Sequence, residues 1–139
     1  MKKAQTISFY GFIVIILGFI IFSSTFFIAN SLRDASSRDF AIMSGDTILA
    51  KIENKILDIK AIATFGNNEV TASLYLPKRL GNQEYSILGT GEKIKIRVSG
   101  PTPISRDRKI GNNIQCSGVS FPPKIILLYN ASTNSVTIK

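Results

Sequence analysis

The chain has 139 residues, with 17 Lys and Arg against 9 Asp and Glu, no histidine and one cysteine, for a net charge of +8. These counts exclude an intramolecular disulfide, a Cys/His zinc site, and any Ser-His-Asp or Cys-His catalytic arrangement. The basic residues form no single run and match no nucleic-acid-binding signature, so the excess reads as a solvated surface, and nucleic acid is not an expected partner.

The chain opens on MKKAQTISFYGFIVIILGFIIFSSTFFIAN, in which two lysines precede an uncharged stretch from Ala4 to Leu32. As an α-helix that stretch is roughly 43 Å long at 1.5 Å per residue, more than a bilayer core of about 30 Å requires. It is too long for a secretory signal, whose apolar region is about 7–15 residues. Lys2 and Lys3 place the N-terminus in the cytoplasm and everything after Asn30 outside it, as a single-pass protein of the cell membrane. Gly11 and Gly18 lie seven residues apart on nearly the same helix face, beside Phe12 and Phe19. Small residues on one face let a second helix approach closely, so these four are the expected helix-packing positions.

The helix is expected to continue over 31–65 as an amphipathic segment. Ala35, Ile42, Leu49, Ile56 and Ala63 recur every seven residues, with Ile52 and Ile59 between them, a stripe near the 3.5-residue period. Ser44-Gly45-Asp46 is the weak point, where a kink or short break is expected. From Gly66 the period changes to two. Strands are expected in EVTASLYLP, EYSIL, EKIKIRVSG, IQCSGVSF, KIILLYN and VTIK. In the third, Ile94, Ile96 and Val98 face one way and Lys93, Lys95 and Arg97 the other. PTPISRDRKIGNN reads as a loop with at most a brief strand between Ile104 and Ile110. The run Ile125–Tyr129 is apolar at every position and reads as a central strand covered on both faces. The connections are short, so the pairing is mostly antiparallel. The fold class is therefore α+β: a long N-terminal transmembrane and amphipathic helix followed by a small antiparallel sheet domain over 66–139.

No spacing of the nine carboxylates brings two into an acid/base pair, and no cofactor or metal is expected. GTGEK at Gly89–Lys93 superficially resembles a phosphate-binding loop, but a strand follows it, so it reads as a hairpin turn. The chain is not expected to be an enzyme. Cys116 reads as a small buried hydrophobe. Asn130-Ala131-Ser132 is an N-glycosylation sequon in an expected outer loop, making Asn130 the candidate modification site of a glycoprotein.

The KKAQ leader followed at once by a long apolar helix resembles the N-terminus of archaeal type IV pilin-like proteins, which carry a class III signal. The resemblance covers about the first thirty residues. It implies that a prepilin-type peptidase cuts between Ala4 and Gln5, so that 1–4 is a basic leader and 5–30 is both membrane span and filament-core helix. It also implies a lollipop-shaped subunit whose partners are membrane lipid and other pilin-like subunits, in the membrane or, after processing, in an extracellular filament. Many members have Gly where Ala4 stands and Glu where Phe9 stands. Many also carry an immunoglobulin-like all-β head, an alternative the sequence leaves open. The second reading of the chain is an uncleaved, single-pass anchored module of the cell envelope whose outer domain binds a partner.

Overall fold

A proline-free apolar run satisfies its backbone away from water by forming a helix. The chain does so in α1, Lys2–Thr64. The computed structural model describes residues 2–66, 68–100, 103–111 and 113–139, with side chains from Tyr10 onward. The side chains of Ala4 and Gln5 lie outside the described residues, as do Asn67, Pro101, Thr102 and Asn112. The chain divides into two units, Met1–Arg38 and Asp39–Lys139.

In the second unit the helix buries Ala41, Gly45, Ile48, Leu49, Ile52, Ile56, Ile59 and Ala63. Spacings of three and four keep these residues on one face. Two expectations are corrected here. Ala35 is exposed and Ile42 only half-buried, so the buried stripe starts at Ala41. The helix also runs without a break through Ser44-Gly45-Asp46. Gly45 sits on the buried face, and the packed turns on either side outweigh its low intrinsic propensity. The helix ends as the sequence indicates, with Phe65 N–H donating to Ile62 O at 3.1 Å and Gly66 at φ 133°.

Seven strands follow: β1 Glu69–Tyr75, β2 Tyr85–Gly91, β3 Lys93–Val98, β4 Ile104–Lys109, β5 Gln115–Ser120, β6 Lys124–Asn130 and β7 Ser135–Ile138. They form one sheet in the order β1-β6-β7-β5-β2-β3-β4. Every pairing is antiparallel except β5 with β7. The arrangement is α+β, one helix and one sheet, rather than the two facing sheets of an immunoglobulin-like head. The core lies where the helix stripe meets Ile87, Ile94, Ile96, Ile125, Leu127 and Val136, all at most 1% exposed. β2 and β3 turn at Gly91-Glu92, with Thr90 opposite Lys93, so the phosphate-loop-like GTGEK is a hairpin.

The sheet departs from expectation in two places. ISRDRK is a full edge strand, β4, in register with β3 from Lys93↔Lys109 to Val98↔Ile104. Buried Ile104 and Ile110 bracket it, and the charged residues between them protect the edge. β6 lies inside the sheet between β1 and β7, but it is covered on one face only: Ile125, Leu127 and Tyr129 are buried, Ile126 is exposed and Leu128 half-buried. The single helix covers one side of the sheet, and no second layer exists among the described residues.

Gly118 lies where β5 meets both β2 and β7. It has φ +99°, and a Cβ there would stand 2.1 Å from the Ile138 carbonyl oxygen. Gly118→Ala should therefore destabilise the domain by about 2 kcal/mol or more. Gly45→Ala, where a Cβ meets nothing within 4 Å, should stabilise it by about 0.5–1 kcal/mol. Thermal unfolding of the two variants beside the parent checks both signs. Ile56 is 0% exposed, so Ile56→Asp buries an unpaired carboxylate and should cost several kcal/mol, enough to unfold a small domain. Lys95→Glu on the open face should leave protease resistance unchanged.

Candidate functional site

Two surfaces carry the residues that sequence reading singled out, one in each unit. The first is the apolar part of α1. Every residue from Tyr10 to Ser36 is exposed within the chain. An 18-residue window reaches a mean hydropathy of 2.7 with none of it buried. The helix is thus long and apolar enough to cross a membrane, and it is a candidate span. Two of its hydroxyls are satisfied by the helix itself. Ser24 Oγ donates to Ile21 O at 2.9 Å and Thr25 Oγ1 to the same oxygen at 2.8 Å, so neither hydroxyl is left without an acceptor. A Cβ added at Gly11 or Gly18 meets nothing within 4 Å. Phe12 and Phe19 stand 62% and 71% exposed. All four expected helix-packing residues are therefore uncovered by their own chain.

The second surface is the sheet face turned away from the helix. Its β3–β4 end is charged. Lys93 Nζ lies 2.8 Å from Asp107 Oδ2, and Lys109 Nζ lies 2.8 Å from Glu92 Oε2. The hydrogen bond between Lys93 and Asp107, and then their mutual attraction, hold the lysine above and the carboxyl below their ordinary pKa ranges. Lys95 and Arg97 form no ion pair among the described residues. The three basic residues read from β3 are thus partly neutralised by β4, a strand longer than the brief one the sequence suggested. Toward β1 the face is more apolar. Ile126 sits opposite Ser73, Val119 opposite Leu88, and Tyr75 opposite Lys124, whose Nζ lies 5.7 Å from the ring centroid.

Asn130 ends β6, opposite Glu69 and Ser135. Its Oδ1 accepts from Ser132 N at 3.0 Å, Ser132 Oγ at 2.5 Å and Thr133 N at 3.3 Å. Its Nδ2 donates to Glu69 Oε1 at 3.1 Å. The side-chain amide that the sequon offers is therefore engaged at both ends, in an Asx turn that shapes the β6–β7 hairpin. Sequence reading missed the contact to Glu69, because it joins residues 61 positions apart and only the β1–β6 pairing brings them together.

Two buried titratable groups support the domain rather than form a site. Tyr85 Oη donates to Pro77 O at 2.6 Å, and burial pushes its phenol up to about 12 from 10.0. Burial likewise pushes the Cys116 thiol up to about 11 from 9.0. A group of three or more His, Cys, Asp or Glu able to hold a metal is not found among the described residues. No family model matches the chain, and no curated protein or solved structure is significantly similar to it.

The raised values of Cys116 and Tyr85 set the sign of an alkaline transition. The folded state keeps both protons where the unfolded state releases them, so their contribution is complete below about pH 9 and is lost as pH rises through the folded values. A shift of about two units corresponds to at most roughly 2.7 kcal/mol per group. The unfolding midpoint of the full chain in detergent should fall steadily above pH 9. Cys116→Ala should remove the earlier part of that fall and leave the later part, which belongs to Tyr85.

Proposed function

We propose that this chain is a structural subunit of a type IV pilus-like surface filament of the archaeal kind. One observation supports this reading above the others. α1 is a single helix, apolar and uncovered on every side over its first part and packed against a sheet over its last. A helix that spent its first thirty residues on anchoring alone would need only about 20 of them. An uncovered, aromatic-rich helix with Gly11 and Gly18 on one face also offers other subunits a surface for close packing, which must drive helix association in lipid. In this reading Lys2 and Lys3 hold the N-terminus at the cytoplasmic face. A prepilin-type peptidase cuts between Ala4 and Gln5, and the residues after Asn30 lie outside. The cut removes two positive charges and leaves one α-amino group on an apolar helix that is free to leave the bilayer for a filament core. Asn130, in a hairpin of the outer unit, is the candidate glycan acceptor, and its modification requires release of the Glu69 contact.

A second reading, an uncleaved anchored module of the cell envelope, is favoured by Phe9, which stands where pilin-like proteins commonly carry Glu. It is also favoured by the apolar residues on the open sheet face. Mass spectrometry of the mature N-terminus separates the two. A peptide beginning at Gln5, recovered from sheared filaments, is the expected result. Met1 retained in every cellular fraction would transfer the argument to the anchored module. A chain beginning after Ala29 would remove both readings. Asn130→Gln should abolish any glycan mass on the outer unit without changing the N-terminus.

A further inference from the structure

We propose that the helix face turned away from the sheet is an interface with a second copy of this chain, the two helices lying parallel and in register over Phe40–Leu57. One stripe of this helix, which includes Leu49, Ile52, Ile56, Ile59 and Ala63, is buried in the core. A second one exists. Phe40, Met43, Thr47, Ala50, Asn54 and Leu57 recur at alternating spacings of three and four, the a and d repeat of a two-stranded coiled coil. At 100° per residue the second stripe is centred roughly half a turn from the buried one. Its own domain leaves most of it uncovered: Phe40 is 57%, Met43 72% and Leu57 37% exposed, Thr47 and Asn54 are exposed, and Ala50 is half-buried. Scattered exposed apolar residues are ordinary on a surface, but a heptad register kept opposite the core is not scatter. Thr47 belongs to it as a methyl group, because its hydroxyl donates to Met43 O at 3.0 Å.

Two further observations fix the occupant as a second copy in parallel. Asn54 stands at an a position and its side-chain amide has no partner among the described residues. A single Asn at such a position specifies register and a two-stranded state, since it is satisfied when it meets its own equivalent. The flanking charges agree. Asp46 and Lys51 are five residues apart, on the two sides of the stripe. In a parallel, in-register pair this spacing sets Asp46 of each copy beside Lys51 of the other. Neither forms an ion pair within its own chain among the described residues. The next pairing, Glu53 with Asp58, would be repulsive, but Glu53 is already bound by Arg108 of β4. An antiparallel pair with the same core layers would instead set Lys51 beside Ser44 and Asp46 beside Glu53, so neither Asp46 nor Lys51 would gain a partner of opposite sign. With Thr47, Ala50 and Asn54 at three of the six contact positions the association is weak, and confinement to one membrane raises the effective concentration that sustains it. The proposed anchoring through α1 would impose the same parallel orientation; the stripe, Asn54 and the flanking charges do not rest on that reading.

Disulfide trapping of the full chain in native membranes tests the pairing. In a Cys116→Ala background, Met43→Cys, Ala50→Cys and Leu57→Cys each carry one thiol, so each forms at most a dimer. All three should give an oxidised dimer. Ile62→Cys, exposed but about a quarter turn from the stripe, should give little. Asp46→Lys should lower the dimer yield about two- to five-fold, and adding Lys51→Asp should restore it. Resistance of the outer unit to protease checks that each variant is folded. Equal trapping at Ile62, trapping at only one of the three positions, or none at any of them would overturn the interface. Reading the N-terminus of the same samples keeps the two proposals apart. Dimers on chains that begin at Met1 support the interface while counting against filament processing, and chains that begin at Gln5 without dimers do the opposite.

Discussion

The burial of Ile52, Ile56 and Ile59 against isoleucine, leucine and valine side chains on the sheet is the interaction on which the rest of the second unit depends. The sheet has one apolar side rich in β-branched residues, and a single sheet of this size is not stable with that side in water. One helix covers it, joined in the core by Leu76, Leu80, Ile110 and Ile114 from the connections between strands. Its buried face is built from positions three and four apart, and the strands answer with alternate residues, so two different periodicities meet in one dry layer. Gly45 is tolerated in mid-helix for the same reason: turns that are packed on both sides do not open to relieve a propensity penalty of about 1 kcal/mol.

Because one helix covers one face, everything else about the sheet follows from an uncovered second face and two open edges. β6 has apolar residues at five successive positions, yet only every second one is buried. β4 is an edge strand with few apolar residues, held in place by a complete ladder to β3, by the ends at Ile104 and Ile110, and by Arg108 reaching Glu53 on the helix. Its charges do not merely solubilise: Asp107 and Glu92 hold Lys93 and Lys109, so the open face carries less free positive charge than its lysines suggest. At the other edge, β1 carries a single charge, Glu69, and that residue is tied to the Asn130 amide.

The first unit obeys a different solvent logic. Its side chains gain nothing from their own chain, since none from Tyr10 to Ser36 is covered. The helix suits lipid because, beyond its first turn, its backbone groups bond within the helix, and because Ser24 and Thr25 donate their hydroxyl protons to the Ile21 carbonyl. Such a segment has no stable place in water, so its function is tied to what surrounds it, whether bilayer or neighbouring helices. The pilin-like reading and the proposed pairing of the lower helix address the two halves of α1 separately, one through packing of small and aromatic residues and the other through a heptad seam with matched charges.

The sequence by itself determined the helix, its apolar and amphipathic parts, the identity of the core residues Ile52, Ile56, Ile59, Ile94, Ile96 and Val98, and the α+β class. These depend on periodicity and on the absence of charge, which are local properties read over a few turns or a few residues. Tertiary structure alone decided the strand order, the one parallel pairing between β5 and β7, the full length and edge position of β4, the single-sided cover of β6, and the contacts Glu53–Arg108 and Glu69–Asn130. Each of these is set by which backbone edge lies beside which, between residues far apart in the chain. ISRDRK has no apolar alternation to announce a strand, and it becomes one only because β3 offers it a free ladder of hydrogen bonds. An apolar run such as Ile125–Tyr129 records how much hydrophobic surface a strand has, while the number of layers built around it decides how much of that surface is hidden.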